Sequence, residues 1–111
     1  MTQIERNARI ASLNDEFRRR GFGGRVSISE RIKARGAVFV STTRSAVQAH
    51  DQFNPESDPT GRRDFGIVTV AGVRVCWKID YLAAEDPRLP VDPLDALGTH
   101  RVLSIFTPLE Y

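Results

Sequence analysis

Asp64, Lys78 and Asp80, with His50 or His100 as a further partner, are the side chains of this chain best suited to chemistry. Carboxylates clustered beside a lysine are what a metal-dependent nuclease or small hydrolase needs, because they hold a divalent cation against a developing negative charge. Asp64, Lys78 and Asp80 all lie in or next to one stretch, DFGIVTVAGVRVCWKIDY (Asp64–Tyr81), whose strict two-residue alternation is interrupted by Ala71-Gly72. That pattern reads as a β-hairpin. A two-residue loop sets Val70 opposite Val73, Val68 opposite Val75, Gly66 opposite Trp77 and Asp64 opposite Ile79. Lys78 and Asp80 then share a mixed, partly wet face with Arg63, Phe65, Ile67, Thr69, Arg74 and Cys76, while Asp64 lies on the other face. The carboxylates scatter, and no catalytic residue, metal ligand or cofactor is assigned. Arg63 and Asp80 fall opposite one another, which predicts a cross-strand ion pair. Gly66 leaves room for the indole of Trp77, so Gly66, Trp77, Asp64 and Asp80 read as structural.

The remaining reactive types point the same way. Cys76 is the single cysteine and sits in mid-strand with no His or second Cys at ligand spacing, as a packed thiol does. His50 falls on the apolar side of a helical pattern and reads as a core-edge residue with one nitrogen satisfied. No P-loop, G-x-S-x-G, H-E-x-x-H or Cys/His set is present.

The elements that must position these groups follow from the chain in order. Thr2 and Glu5 form a capping box, and Ile4, Ile10, Leu13 and Phe17 mark a helical stripe over residues 3–20. Gly21 stops that helix, with Phe22 as its hydrophobic clasp. Arg25 to Glu30 alternates as a strand with Val26 and Ile28 inward, and Arg31, Lys33 and Arg35 point one way if the chain stays extended. Residues 37–41 are ambiguous between strand and helix, and a helix over 42–53 is favoured, closed by Asn54-Pro55. Asp58-Pro59-Thr60-Gly61 has the residue order of a turn. Residues 83–98 read as an ordered meander with a helical turn near Asp92 to Leu97. Arg101 to Thr107, apolar on both faces, belongs inside the sheet. The fold class is α+β. One domain, 1–111, carries a single antiparallel sheet of about four strands, packed on one face by the N-terminal helix and a second helix.

The net charge of +2 conceals an asymmetry: residues 1–50 hold ten Arg or Lys against four acids, and residues 51–111 hold six against ten. The candidate partner-binding residues are therefore a basic set, Arg18, Arg19, Arg20, Arg25, Arg31, Lys33 and Arg35, for an acidic protein or nucleic acid. A second set lies in acidic loops, Asp51, Glu56, Asp58, Glu85, Asp86, Asp92 and Asp95. The arginines at the end of the first helix also have a structural reason, since they complement the negative pole of its dipole. Phe22 is the one aromatic among the basic positions, so a stacking platform for single strands is poorly supplied. No apolar run approaches the roughly 20 residues that a membrane span needs, and a cytoplasmic protein without a membrane partner is expected. Exposed sheet edges leave a monomer or an edge-to-edge homodimer open.

The segments Asn14–Arg18, Gly23–Val26, Asp58–Gly66, Trp77–Tyr81, Thr99–Ile105 and Glu110-Tyr111 fall in an order that resembles a known family. It is a family of small bacterial proteins of unknown function, carried mainly on plasmids, phages and other mobile elements. Its pattern runs D-P-x-G-x-x-D-F-G, W-K-I-D-Y, R-V-L-(S/T)-I and a terminal E-Y. Where that pattern has Glu-His before Asp-Phe-Gly, this chain has Arg62-Arg63, so any catalytic role of that histidine would be lost. The resemblance implies an accessory protein that helps foreign DNA establish itself. The leading expectation is a non-catalytic inhibitor of a host defence protein or ribonucleoprotein complex, of the anti-CRISPR or anti-restriction kind. The alternatives are a nucleic-acid-binding regulator using the basic half and, third, a small hydrolase or nuclease.

Overall fold

Thr2 and Glu5 close the capping box reciprocally: Glu5 N–H donates to Thr2 Oγ1 at 3.1 Å and Thr2 N–H to Glu5 Oε1 at 3.2 Å. Helix α1, Gln3–Arg20, starts there and ends at Gly21, whose φ of 79° is the left-handed conformation glycine adopts freely. The computed structural model describes residues 1–111. It continues with β1 (Gly24–Ile28), α2 (Glu30–Lys33), α3 (Ala37–Ala49), β2 (Phe65–Val70), β3 (Val73–Ala83) and β4 (Thr99–Phe106), and closes on a 3₁₀ turn, Pro108–Glu110. No helix is long and apolar enough to cross a membrane.

The strands form one sheet in the order β1-β4-β3-β2. The hairpin has the expected register, with Val70 on Val73, Val68 on Val75 and Gly66 on Trp77. Ala71 and Gly72 both have positive φ, 50° and 77°, as a turn matching the strand twist requires. β4 is interior, as its two apolar faces predict. The sheet is mixed, not purely antiparallel: β1 runs parallel to β4, Val26 on Leu103 and Ile28 on Ile105. Gly24 makes this close approach possible, because a Cβ there would overlap the Arg101 carbonyl.

Helices cover one face. Phe17, Ile32, Val47, Val70, Val75, Trp77, Ile79, Leu103 and Ile105 form the core there. Each such side chain contributes about 1.5–3 kcal/mol of burial free energy. The other face is largely wet, with Thr69, Arg74, Lys78 and Asp80 exposed, although Tyr111 folds back against Phe106 and Phe65.

Several local expectations are overturned. Arg31, Lys33 and Arg35 do not lie on an extended segment, because Ser29 caps the short helix α2. Residues 37–41 are helical: α3 starts after Gly36, at φ 99°, and ends at Ala49 instead of running over 42–53. AVFVS is helical although Val38 is exposed, because Phe39 and Val40 pack against the core and that burial outweighs local strand propensity. The meander makes turns but no helical turn at 92–97. Ile4 and Phe22 are exposed, so neither serves as stripe or clasp.

Candidate functional site

Asn14 and Arg18 lie one helical turn apart on the buried face of α1, among Ile10, Ala11 and Phe17. Asn14 is fully buried, and every polar atom of its side chain is used. Its Nδ2 donates to the Arg62 carbonyl at 3.0 Å and to Tyr81 Oη at 2.7 Å. Its Oδ1 accepts from Arg101 Nε at 2.8 Å. A donor-only guanidinium on one side and a carbonyl on the other fix the amide orientation. Tyr81 Oη–H donates to Asp64 Oδ2 at 3.0 Å, and Arg101 Nη2 donates to the Pro93 carbonyl at 2.6 Å. Burial pushes the Tyr81 phenol well above the ordinary tyrosine range, and the adjacent Asp64 charge adds to this.

A second branch starts at Asp15, whose two oxygens accept from Arg18 at 3.0 Å and Arg63 at 2.8 Å. Arg18 also donates to the Val47 carbonyl at 2.5 Å, at the end of α3 where that carbonyl also accepts from the His50 N–H at 3.3 Å, and its guanidinium lies 4.8 Å from the Trp77 ring centre. Burial pulls the Arg18 guanidinium down and Asp15 opposes it. Trp77 Nε1–H donates to His50 Nδ1 at 2.9 Å. Indole nitrogen is donor-only, so the other His50 nitrogen carries the proton and donates to the Gln52 carbonyl at 3.1 Å. Both His50 nitrogens are satisfied, one more than the sequence predicts, and its ring stacks on Phe53 with centroids 4.6 Å apart.

This network is a clamp between α1, the loop before β2, and the sheet, and its donors and acceptors are spent on one another. Arg18 Nε and Thr43 Oγ1 are its unpartnered buried exceptions nearby. Arg63 does not pair with Asp80. Its φ of 55° takes the chain out of the strand ahead of Phe65, its side chain turns to Asp15, and its N–H meets the Asp58 carboxylate. Burial pushes Asp58 up, with the Arg63 N–H bond opposing. Asp80 instead takes Lys78, at 3.4 Å on the wet face, while Asp64 lies across the sheet on Tyr81. His100 and Asp64 do not join them, and no three His, Cys, Asp or Glu side chains converge to hold a metal ion. Cys76 is buried, and burial pushes its thiol up, away from the reactive thiolate.

The structure divides the basic set among separate surfaces. Arg18 is interior and unavailable to a partner. Arg19 is exposed, Arg20 pairs with Glu16 at 3.5 Å, and Arg25 points from β1 to the open face of the sheet. Lys33 pairs with Glu30 at 3.5 Å. Arg31 and Arg35 remain exposed and form no ion pair, and they face a third such residue, Arg74, at the base of the hairpin tip. Together with Ala34, Val73, Thr107, Pro108 and Leu109 they line a groove of about 510 Å³. The acidic set is partly consumed by its own loops: Asp86 holds Arg88, Asp92 holds Arg6 and the Leu94 N–H, and Asp95 caps the Gly98 N–H. Asp51, Glu56 and Glu85 stay exposed without an ion pair.

Arg74 and Leu109 were not among the sequence candidates. Arg74 alternates onto the wet face in the sequence, but nothing there brings it beside α2. The interior role of Asn14 and Arg18 did leave a signal, since both lie on the Ile10 face of the helix, at i+4 and i+8.

No curated protein and no solved structure matches the chain. A family model does match, described as a protein of unknown function, DUF3768, over residues 28–110. The match takes in β2, β3, β4, the turn Asp58–Gly61 and the groove residues from Arg31 to Leu109. It leaves the Asn14–Arg18 and Gly23–Val26 segments outside. Covering well over half of the sequence, it shows that this chain belongs to the DUF3768 family.

Proposed function

We propose that this protein is a non-catalytic binding module that acts by contact, engaging and inhibiting a defence or nucleic-acid-processing complex of a bacterial host. One observation carries the reading: the polar groups divide in two. Asn14, Tyr81, Asp64 and Arg101 bond one another within the fold and Lys78 is taken by Asp80, whereas Arg31, Arg35 and Arg74 stand exposed without an ion pair around a groove. Arginines without an ion pair have none to give up on meeting an anionic partner, and arginine is enriched in interface hot spots. The resemblance to proteins of plasmids and phages supports a host-directed role, with CRISPR interference or restriction as the target system. The test is affinity capture from nuclease-treated bacterial lysate. A stoichiometric protein of a defence or nucleic-acid-processing system is the expected result. Recovery of nothing, or of material that nuclease abolishes, overturns it.

A second reading, direct contact with a nucleic-acid backbone, has its own observation. Lys33 and Arg44 line a shallow depression of about 650 Å³ along α3, and Arg44 continues it toward Arg20. Under that reading log affinity for duplex DNA falls steeply with log salt, and a flat response discards it.

A further inference from the structure

The groove between α2, the start of β3 and the terminal 3₁₀ turn carries an inference that rests on the contact-binding reading and narrows it. We infer that this groove receives an extended acidic segment of a protein partner, one that alternates carboxylates with an apolar anchor. Its lining is of two kinds, cationic and apolar. Arg31 on α2, Arg35 in the turn that follows it and Arg74 on β3 supply three guanidiniums, all exposed and without a carboxylate partner, with Arg35 stacked 5.4 Å from the Phe39 ring centre. Glu110, on the terminal turn, is held through Oε1 by the Thr107 N–H at 2.8 Å, Thr107 Oγ1 at 2.8 Å and Ser29 Oγ at 2.9 Å. Those bonds hold its carboxyl below the usual carboxylate range, the Thr107 N–H foremost, with a smaller contribution from Arg31. It forms no ion pair with the arginines.

The apolar part of the lining is Val73, half-buried, with Pro108 and Leu109, the last 82% exposed. An exposed leucine and proline beside arginines that have no ion pair is the composition of an interface patch with apolar and charged parts. The occupant follows from charge and from shape. Carboxylates meet planar guanidiniums in paired hydrogen bonds, and the apolar lining takes a leucine-sized side chain beside them. A nucleic-acid strand fits less well, because no aromatic side chain lines the groove to stack a base and the leucine would face phosphate or sugar. About 510 Å³ accommodates a few side chains, not a folded domain. The backbone under Arg31 and Arg74 is held: α2 is capped by Ser29, Ile32 anchors it in the core, and the hairpin ladder carries Arg74. The ordering cost of binding there is that of the arginine side chains.

The test is an NMR titration of the ¹⁵N-labelled full chain with a capped hexapeptide alternating glutamate and leucine. Hexaglutamate and an oligothymidylate of equal length serve as comparators. The alternating peptide is expected to give saturable shifts at the amides of Arg31, Arg35, Val73, Arg74 and Leu109. R31E/R35E/R74E should weaken it at least about tenfold, and Leu109→Ser by about three- to tenfold, with hexaglutamate weaker by a similar factor. If the triple variant fails to fold, single Arg→Gln variants at the same positions give the readout at about threefold each. Absence of saturable shifts, shifts confined to another surface, or tighter binding of the oligothymidylate at these amides overturns the inference. The two readings fail separately. A host protein captured equally by wild type and R31E/R35E/R74E removes the groove and leaves the contact binder. A groove that titrates while lysate capture recovers nothing keeps the groove and removes the host-complex reading.

Discussion

At Gly66 a single hydrogen in place of a methyl decides how two rings meet. A Cβ there would lie 2.5 Å from His50 Cε1 and 2.6 Å from Trp77 Nε1, so the bond that joins those rings could not form as it stands. Gly66→Ala is expected to destabilise the fold by about 1–3 kcal/mol, read as a lower urea midpoint. An unchanged midpoint would mean that the rings are not held as described. Asn14 is the second such position. Asn14→Ala removes the acceptor for buried Arg101 Nε and a donor to Tyr81, and should cost about 2–3 kcal/mol because a charged donor is left unpartnered. Asn14→Asp keeps the acceptor but buries a carboxylate, so it does not rescue fully.

The elements show which parts of the structure the sequence expresses and which it does not. The hairpin register was legible because side chains alternate with a period of two and Gly66 can only answer Trp77 in one alignment. The parallel pairing of β1 with β4 was not, since Arg25 to Ile28 alternates identically in either direction. AVFVS misleads because its propensity is local while the burial of Phe39 and Val40 is not. Within the candidate site, Arg31 and Arg35 were readable as basic, but their meeting with Arg74 joins residues far apart in the chain and has no local signature. The turn carries a prediction of its own. Ala71 at φ 50° occupies a conformation that asparagine adopts more readily, so Ala71→Asn should stabilise by about 0.5–1 kcal/mol in urea unfolding. The meander carries another. The Leu94 N–H bond, foremost, and the ion pair with Arg6 hold the Asp92 carboxyl below its usual range. A depressed folded pKa contributes stability that is present above about pH 4 and is lost as pH falls through the lower, folded value. The Leu94 amide resonance should therefore titrate with a midpoint below the ordinary aspartate range, and a midpoint at or above it would contradict the bond.

Across the whole molecule, charge is sorted by use. Carboxylates and guanidiniums that link α1 to the loop and the sheet neutralise one another, and the acidic loops hold their own turns. What is left over is predominantly cationic and outward, at Arg19, Arg25, Arg31, Arg35, Arg44 and Arg74. Such a surface steers anionic partners by its field and binds them by contact, and both effects weaken with salt. The measurement that bears most directly on this account is the amount of partner captured from nuclease-treated bacterial lysate by R31E/R35E/R74E beside the wild type, at matched urea midpoints. The account predicts that the wild type retains a protein partner and the variant loses most of it while staying folded. Equal capture by the two proteins would contradict the assignment of the contact to these three arginines.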